Sequence, residues 1–198
     1  MSEVIFEVKP LTISRSLAQD YLRDADDFAQ RFDRLWEALL HKSGRIKSFV
    51  DLLMGVECAL KAHIFMAKQD EDPFETYRLI RRSGHSINAL AKSASWLTDP
   101  TIYNTLAERL EPFSVFIRYR FDADQTFFPA LVERDQAEIN YSETIGKNPW
   151  VLEIRRLLEQ LMDALNGEFQ GFVTDDLFEI FNHEQALADF YKKVSGKK

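Results

Sequence analysis

Cysteine is nearly absent from this sequence. Cys58 stands alone, which excludes an intramolecular disulfide and a metal site built on several thiolates. Glycine and proline are scarce too, at 7 and 6 residues in 198. Few turns can be built from so few breakers, so long helices are favoured over a many-stranded sheet. No window approaches the ~18 uncharged apolar residues that a membrane span requires. The opening residues, Met-Ser-Glu-Val-Ile-Phe-Glu-Val, place acids inside the apolar stretch without a basic lead-in, unlike a secretory signal. The expectation is a cytoplasmic protein that makes no membrane contact.

An excess of positive charge is also missing. At a net charge of −7 no global field draws in a polyanion, so any nucleic-acid contact must come from a local basic cluster. Acids crowd the first helical stretch (Asp20, Asp24, Asp26, Asp27, Asp33 and Glu37), and a solvated helix face is the plain reading of that run. What the chain does have is bulk. With 45% apolar residues and 16 Phe, 6 Tyr and 3 Trp, it can fill the core of a single domain over residues 1–198.

The motifs of most enzyme classes are lacking. The histidines are His41, His63, His85 and His183, with no two at i, i+4 and no His-Glu-x-x-His. No metal and no cofactor is therefore expected. Glycine-rich phosphate loops and a Gly-x-Ser-x-Gly elbow are absent as well. Cys58, beside an apolar helical stripe, reads as a small buried side chain rather than a nucleophile.

The periodicity predicts an all-α bundle of about six helices. Leu17, Tyr21, Ala25, Phe28, Phe32, Leu35 and Leu39 mark one face of a first helix from Ser14, with Ser16 and Gln19 as its capping box. Gly44 is expected to close it in a left-handed conformation. A second helix is predicted from about Arg45 to Ala67, with the stripe Ile46, Phe49 or Val50, Leu53, Val56, Leu60 and Ile64. Asp72-Pro73, Asp99-Pro100 and Asn148-Pro149 each read as a side-chain cap before a proline at the first helical position, with Glu75 completing the capping arrangement at Asp72. The predicted helices are Pro73–Arg82, His85–Leu97, Pro100–Arg120 with a kink at Pro112, Pro149–Gly167 and Thr174–Val194. The core is thus expected over 14–120 and 149–194. Residues 3–13 read as a short strand or an extended arm. Residues 121–147 read as an ordered insertion, either a short hairpin or a loop.

Three local patterns carry chemistry. Glu57-Cys58-Ala59-Leu60-Lys61-Ala62 lies on the second helix, where Glu57 and Lys61 stand at i, i+4. Gly84-His85-Ser86-Ile87 places a histidine at a helix start, preceded by Arg78, Arg81 and Arg82. Phe116-Ile117-Arg118-Tyr119-Arg120 closes the helix from Pro100. Each has a plain structural reading: a surface ion pair, a capping or half-buried histidine, and a cation near a helix C-terminus.

In this order and spacing the three resemble the HEPN (higher eukaryotes and prokaryotes nucleotide-binding) superfamily, over roughly residues 14–166. Glu57, Ala59, Leu60, Lys61 and Ala62 match a Glu-x-Ala-Leu-Lys-Ala-like stretch. Gly84 and His85 match a Gly-His-x-Leu-like start, with Ile87 in the apolar place. Arg118 and Tyr119 match an Arg-Tyr-Pro, although the proline is Arg120 here. Ribonucleases of that superfamily carry Arg-x(4–6)-His on a late helix, whereas the helix from Pro149 has Arg155 and Arg156 and no histidine. Arg34 with His41 and Arg78 with His85 show a six-residue gap, but about one such pair arises by chance in this composition.

The resemblance implies a non-catalytic or degenerate helical module that binds a nucleotide, an RNA or a partner protein, in a toxin–antitoxin or defence context. It implies a homodimer, and a companion protein such as a nucleotidyltransferase. Glu57, Lys61, Arg78, Arg81, Arg82, His85, Arg118, Tyr119 and Arg120 would then gather in one concave, electropositive patch. The alternative is a metal-independent ribonuclease whose relocated site uses His85 and Arg118. A purely structural interaction protein is the third reading.

Overall fold

The computed structural model describes residues 11–128, 139–169 and 174–196. Among them regular structure is helical, with eight α-helices and no strand. Residues 3–10 of the expected arm lie outside this set. So do residues 129–138 of the expected insertion.

Two 26-residue helices, α1 (Ile13–Ala38) and α2 (Lys42–Ala67), form the central pair. Thr12, not Ser16, caps α1: its Oγ1 accepts the Arg15 N–H at 3.2 Å. Ser16 lies inside the helix, where its hydroxyl meets the His183 ring at 2.8 Å. The acidic run of α1 is solvent-facing, as the charge pattern predicts. The link to α2 is tighter than expected. Gly44 sits in the first turn of α2, and His41 is the cap, its Nδ1 accepting the Gly44 N–H at 3.0 Å. A Cβ at position 44 would lie 2.7 Å from the Leu39 Cβ and 2.9 Å from the His41 ring. Glycine is needed for close approach, not for a left-handed backbone.

α2 is the axis of the domain. The predicted stripe is buried, but so are Leu52, Ala59, His63, Phe65 and Met66 on its other faces, because α1 covers one side and later helices cover the rest. A helix apolar all round belongs in a core, where each large side chain contributes about 1.5–3 kcal/mol by leaving water. Cys58 is buried there, and burial pushes its thiol up to about 12. His63 is also fully buried. Its Nε2 donates to the Leu161 carbonyl at 2.9 Å, and its Nδ1 accepts from the Tyr103 hydroxyl at 2.7 Å. The Tyr103 oxygen in turn accepts the Leu97 N–H at 3.0 Å.

The shorter helices are α3 (Pro73–Ser83), α4 (Ile87–Ser93), α5 (Thr101–Leu110) and α6 (Arg120–Phe127), followed by α7 (Asn148–Phe169) and α8 (Leu177–Ser195). The Asp72 cap forms, its Oδ1 accepting the Phe74 N–H at 2.9 Å. Glu75 pairs with Arg78 at 3.0 Å rather than completing the capping arrangement. Asp99 likewise accepts the Thr101 N–H at 2.9 Å. Asn148 differs, since its Oδ1 accepts from Arg45 of α2 at 2.7 Å.

The predicted Pro100–Arg120 helix is not one kinked rod. Pro112 lies two residues past the end of α5, because it lacks an N–H and restricts the residue before it. A single 3-10 turn, Val115–Arg118, follows, and Tyr119 then starts α6. That division of one predicted stretch into α5 and α6 gives eight α-helices among the described residues, where about six were expected. In place of a hairpin, the described part of 121–147 holds α6 and a 3-10 turn at Tyr141–Glu143. Aromatic packing fixes this region against α2. Phe113 contacts Phe49 at 5.1 Å and Trp150 at 5.6 Å between ring centroids, geometries worth about 0.5–1.5 kcal/mol each beyond burial.

Among the described residues no helix is long and apolar enough to cross a membrane. No group of histidines, cysteines and carboxylates able to hold a metal occurs among them either.

Candidate functional site

The expected cluster divides into two centres that share one face of α2. The first is built on Glu57. Its side chain is only 1% exposed, yet it accepts from two side chains: Lys61 Nζ at 2.5 Å and His85 Nδ1 at 2.9 Å. The pair at i, i+4 is therefore not the surface ion pair of the plain reading. A lone buried carboxylate is costly, and two charge-assisted donors offset that cost. Lys61 also lies over the Tyr21 ring, 5.4 Å from its centroid. Burial, more than the neighbouring Cys58, Tyr77, Asp24 and Glu57, pushes the Tyr21 hydroxyl up to about 12.

His85 reaches Glu57 because of the turn before it. Gly84 has φ 57° and ψ −126°, a conformation essentially closed to residues with a Cβ. Ser86 then caps α4, its Oγ accepting the Ala89 N–H at 3.2 Å. The His85 side chain remains 56% exposed. With Nδ1 held as donor by the carboxylate, Nε2 faces outward with its lone pair free. A carboxylate-oriented imidazole of this kind can accept and return a proton at its outer nitrogen. Arg78, Arg81 and Arg82 lie on the exposed part of α3 just upstream. Arg78 is engaged by Glu75, while Arg81 and Arg82 meet no carboxylate among the described residues.

The second centre is a groove of about 860 Å³ between the start of α2 and the segment joining the 3-10 turn to α6. Arg118, Tyr119 and Arg120 line it from one side, and Lys42, Ser43 and Lys47 from the other. Four cations thus face the groove against one acid, Asp124, which pairs with Arg120 at 3.5 Å. Arg118 lies over the Tyr119 ring at 4.8 Å and Lys42 over the Phe128 ring at 5.1 Å. Tyr119 supplies no side-chain cap to α6.

Lys42 and Lys47 are site residues that the sequence motifs miss. The predicted start of α2 at Arg45 left Lys42 in the preceding turn and Lys47 inside the helix but off its apolar stripe. The signal for Lys47 is positional. At 100° per residue, Ser43, Lys47, Met54, Glu57 and Lys61 fall within a sector of about 80°. The non-buried members of that sector expose a narrow line on an otherwise enclosed helix. Lys47 and Glu57 are ten residues apart, roughly 15 Å along the axis, so the two centres are separate stations rather than one pocket.

Arg155 and Arg156, on the helix where a ribonuclease motif was sought, are committed to ion pairs with Asp33 at 2.9 Å and Glu153 at 3.0 Å. Compared with known proteins, the chain matches no family model, no curated protein and no solved structure.

Proposed function

We propose that this protein is a helical binding module for a phosphate-bearing ligand, a nucleotide or a short single-stranded RNA, held in the groove between the start of α2 and the Arg118–Arg120 segment. The observation that carries this reading is the concentration of Lys42, Lys47, Arg118 and Arg120 in one groove of a chain with net charge −7. Local cations supply the attraction that the global charge withholds. Tyr119, half exposed at the rim, offers a ring on which a base can stack, while the guanidinium of Arg118 pairs with phosphate oxygens. The HEPN resemblance supports the same reading. It also supports a toxin–antitoxin or defence setting with a companion protein.

The test is a titration of a fluorescein-labelled single-stranded RNA, followed by anisotropy, against the wild type and Arg118→Ala. Tight binding that weakens about 10-fold in the variant supports the groove. Equal binding by the two proteins removes it.

Glu57 and His85 favour a second reading, metal-independent cleavage of RNA. Here His85 Nε2 takes the proton of a ribose 2′-hydroxyl as that oxygen attacks the adjacent phosphorus; the P–O5′ bond breaks to leave a 2′,3′-cyclic phosphate, the departing 5′-oxygen takes a proton from water, and a neighbouring cation stabilises the phosphorane charge. Cleavage of a mixed RNA in excess chelator, lost in His85→Ala, selects this reading. An intact substrate with the wild type leaves the binding module.

A further inference from the structure

The inward seam of α8 is apolar except at one position. Ile180, His183, Leu187, Phe190 and Val194 recur at spacings of three and four, which keeps them on one helix face, and each is at least half-buried. His183 is the polar member. On α1, Ser16, Gln19, Asp20 and Arg23 recur at i, i+3, i+4 and i+7, so they too share a face. Polar side chains thus meet α8 where a bundle packs apolar ones. The seam does not close there. A cleft of about 380 Å³ opens between the two helices, with Ser16 and His183 both in its wall. Protein interiors are close-packed, and a cleft of this size suits a small ligand.

Ser16 Oγ lies 2.8 Å from His183 Nε2, within the reach that joins a nucleophile to its base. Burial holds the His183 ring below its ordinary value of 6.5, against the pull of Glu184, so at pH 7 the imidazole is neutral and can take a proton. A Gly-x-Ser-x-Gly elbow is not required, because such a pair is recognised by geometry rather than by position in the sequence. The lining of the cleft selects the substrate. Leu11, Ile180 and Leu187 give it an apolar wall, and Asp20 and Glu184 outweigh Arg23. An anionic phosphate is repelled there, whereas an uncharged ester with a short acyl chain fits. We propose that Ser16 and His183 form a catalytic dyad that hydrolyses short-chain, uncharged carboxylic esters in this cleft.

His183 Nε2 takes the Ser16 hydroxyl proton as Oγ bonds to the ester carbonyl carbon. The bond from that carbon to the alcohol oxygen then breaks, and the alcohol leaves with the proton from His183. Water attacks the acyl-serine next, giving its proton to His183. The acid departs, and Ser16 Oγ takes the proton back. Gln19, one turn beyond Ser16 on the same face, offers its amide N–H groups to the carbonyl oxygen as that oxygen gains charge. The cleft shares no residue with the groove at the start of α2, nor with Glu57 and His85.

The experiment uses the full chain. An alkyl fluorophosphonate, which loses fluoride to an activated serine, is expected to add once to the wild type, with the adduct mapped to Ser16 by peptide mass spectrometry. Ser16→Ala takes no adduct, and His183→Gln is labelled about 100-fold more slowly, each with an unchanged helical circular-dichroism spectrum. The wild type also releases p-nitrophenolate from p-nitrophenyl butyrate, and Ser16→Ala does not. A wild type that takes no adduct at Ser16, or that leaves the butyrate ester intact, overturns the proposal without reference to any variant. So does labelling retained by Ser16→Ala, or labelling of His183→Gln at the wild-type rate.

Discussion

The buried carboxylate of Glu57 on α2 holds the Nδ1 of His85, 28 positions later in the chain, at 2.9 Å, and this contact sets which nitrogen His85 shows to solvent. A carboxylate accepts, so Nδ1 carries the proton and Nε2 is left as the outward base. In a ¹⁵N spectrum of histidine-labelled protein, neutral His85 is expected as the Nδ1–H tautomer. Glu57→Ala releases that preference and leaves the Lys61 ammonium without its partner, at a cost of about 3–5 kcal/mol in stability. Observation of the Nε2–H tautomer in the wild type contradicts the arrangement.

Gly84 is expected to act on the same centre from a distance. No atom lies within 4 Å of where its Cβ would be, so Gly84→Ala meets no clash and suffers only from its positive φ. The expected loss is about 1–2 kcal/mol by denaturant unfolding. Because the strain relaxes by turning the chain, the His85 tautomer preference weakens with it. A variant as stable as the wild type, with His85 unchanged, shows that the turn does not position the ring.

His63 makes stability depend on pH. Burial lowers its ring to about 4 from an ordinary value of 6.5, since neither the Leu161 carbonyl nor the Tyr103 hydroxyl compensates an enclosed imidazolium. The folded state therefore binds its proton later than the unfolded chain. The contribution is fully present above about pH 6.5, declines as pH falls, and is lost by about pH 4. A difference of that size is worth about 3 kcal/mol. His63→Gln is expected to flatten this part of the profile, measured by urea unfolding between pH 7 and pH 4. An unchanged slope excludes His63 as its source.

Much of the fold was legible in the sequence, for physical reasons that differ by element. Asp72-Pro73 marks a helix start unambiguously, because the cap and the missing N–H act locally. The apolar stripes of α1 and α2 follow from burial alone. Pro112 was legible as a disturbance but not as a stop. Whether a proline kinks or ends a helix depends on what the following residues pack against, here Phe113 against Phe49 and Trp150. Gly44 was legible as a special position for the wrong reason, since the crowding by Leu39 and His41 depends on how tightly the turn between α1 and α2 closes.

The candidate site was legible in part. Glu57, Lys61 and His85 were selected as motif residues, and their side chains do meet. Arg118, Tyr119 and Arg120 were selected too, but no pattern in the sequence places them at the other end of α2. Lys42 and Lys47 stayed hidden because they belong to no motif. Lys47 shares a face with Ser43 and Lys42 lies about 100° round the helix from it, so their meaning comes only from the segment that folds over both.

Ligand binding in the groove at the start of α2 is tested most directly by its salt dependence. The Kd for a short single-stranded RNA is measured by anisotropy from 50 to 200 mM salt, for the wild type and for the Lys47→Ala, Arg118→Ala double variant. With three or four phosphates engaged, the logarithm of the association constant falls against the logarithm of salt with a slope of about −2 to −3. The double variant is expected to reduce that slope by about 1.4. Absence of RNA binding by the wild type, or an identical slope in the variant, contradicts the central claim.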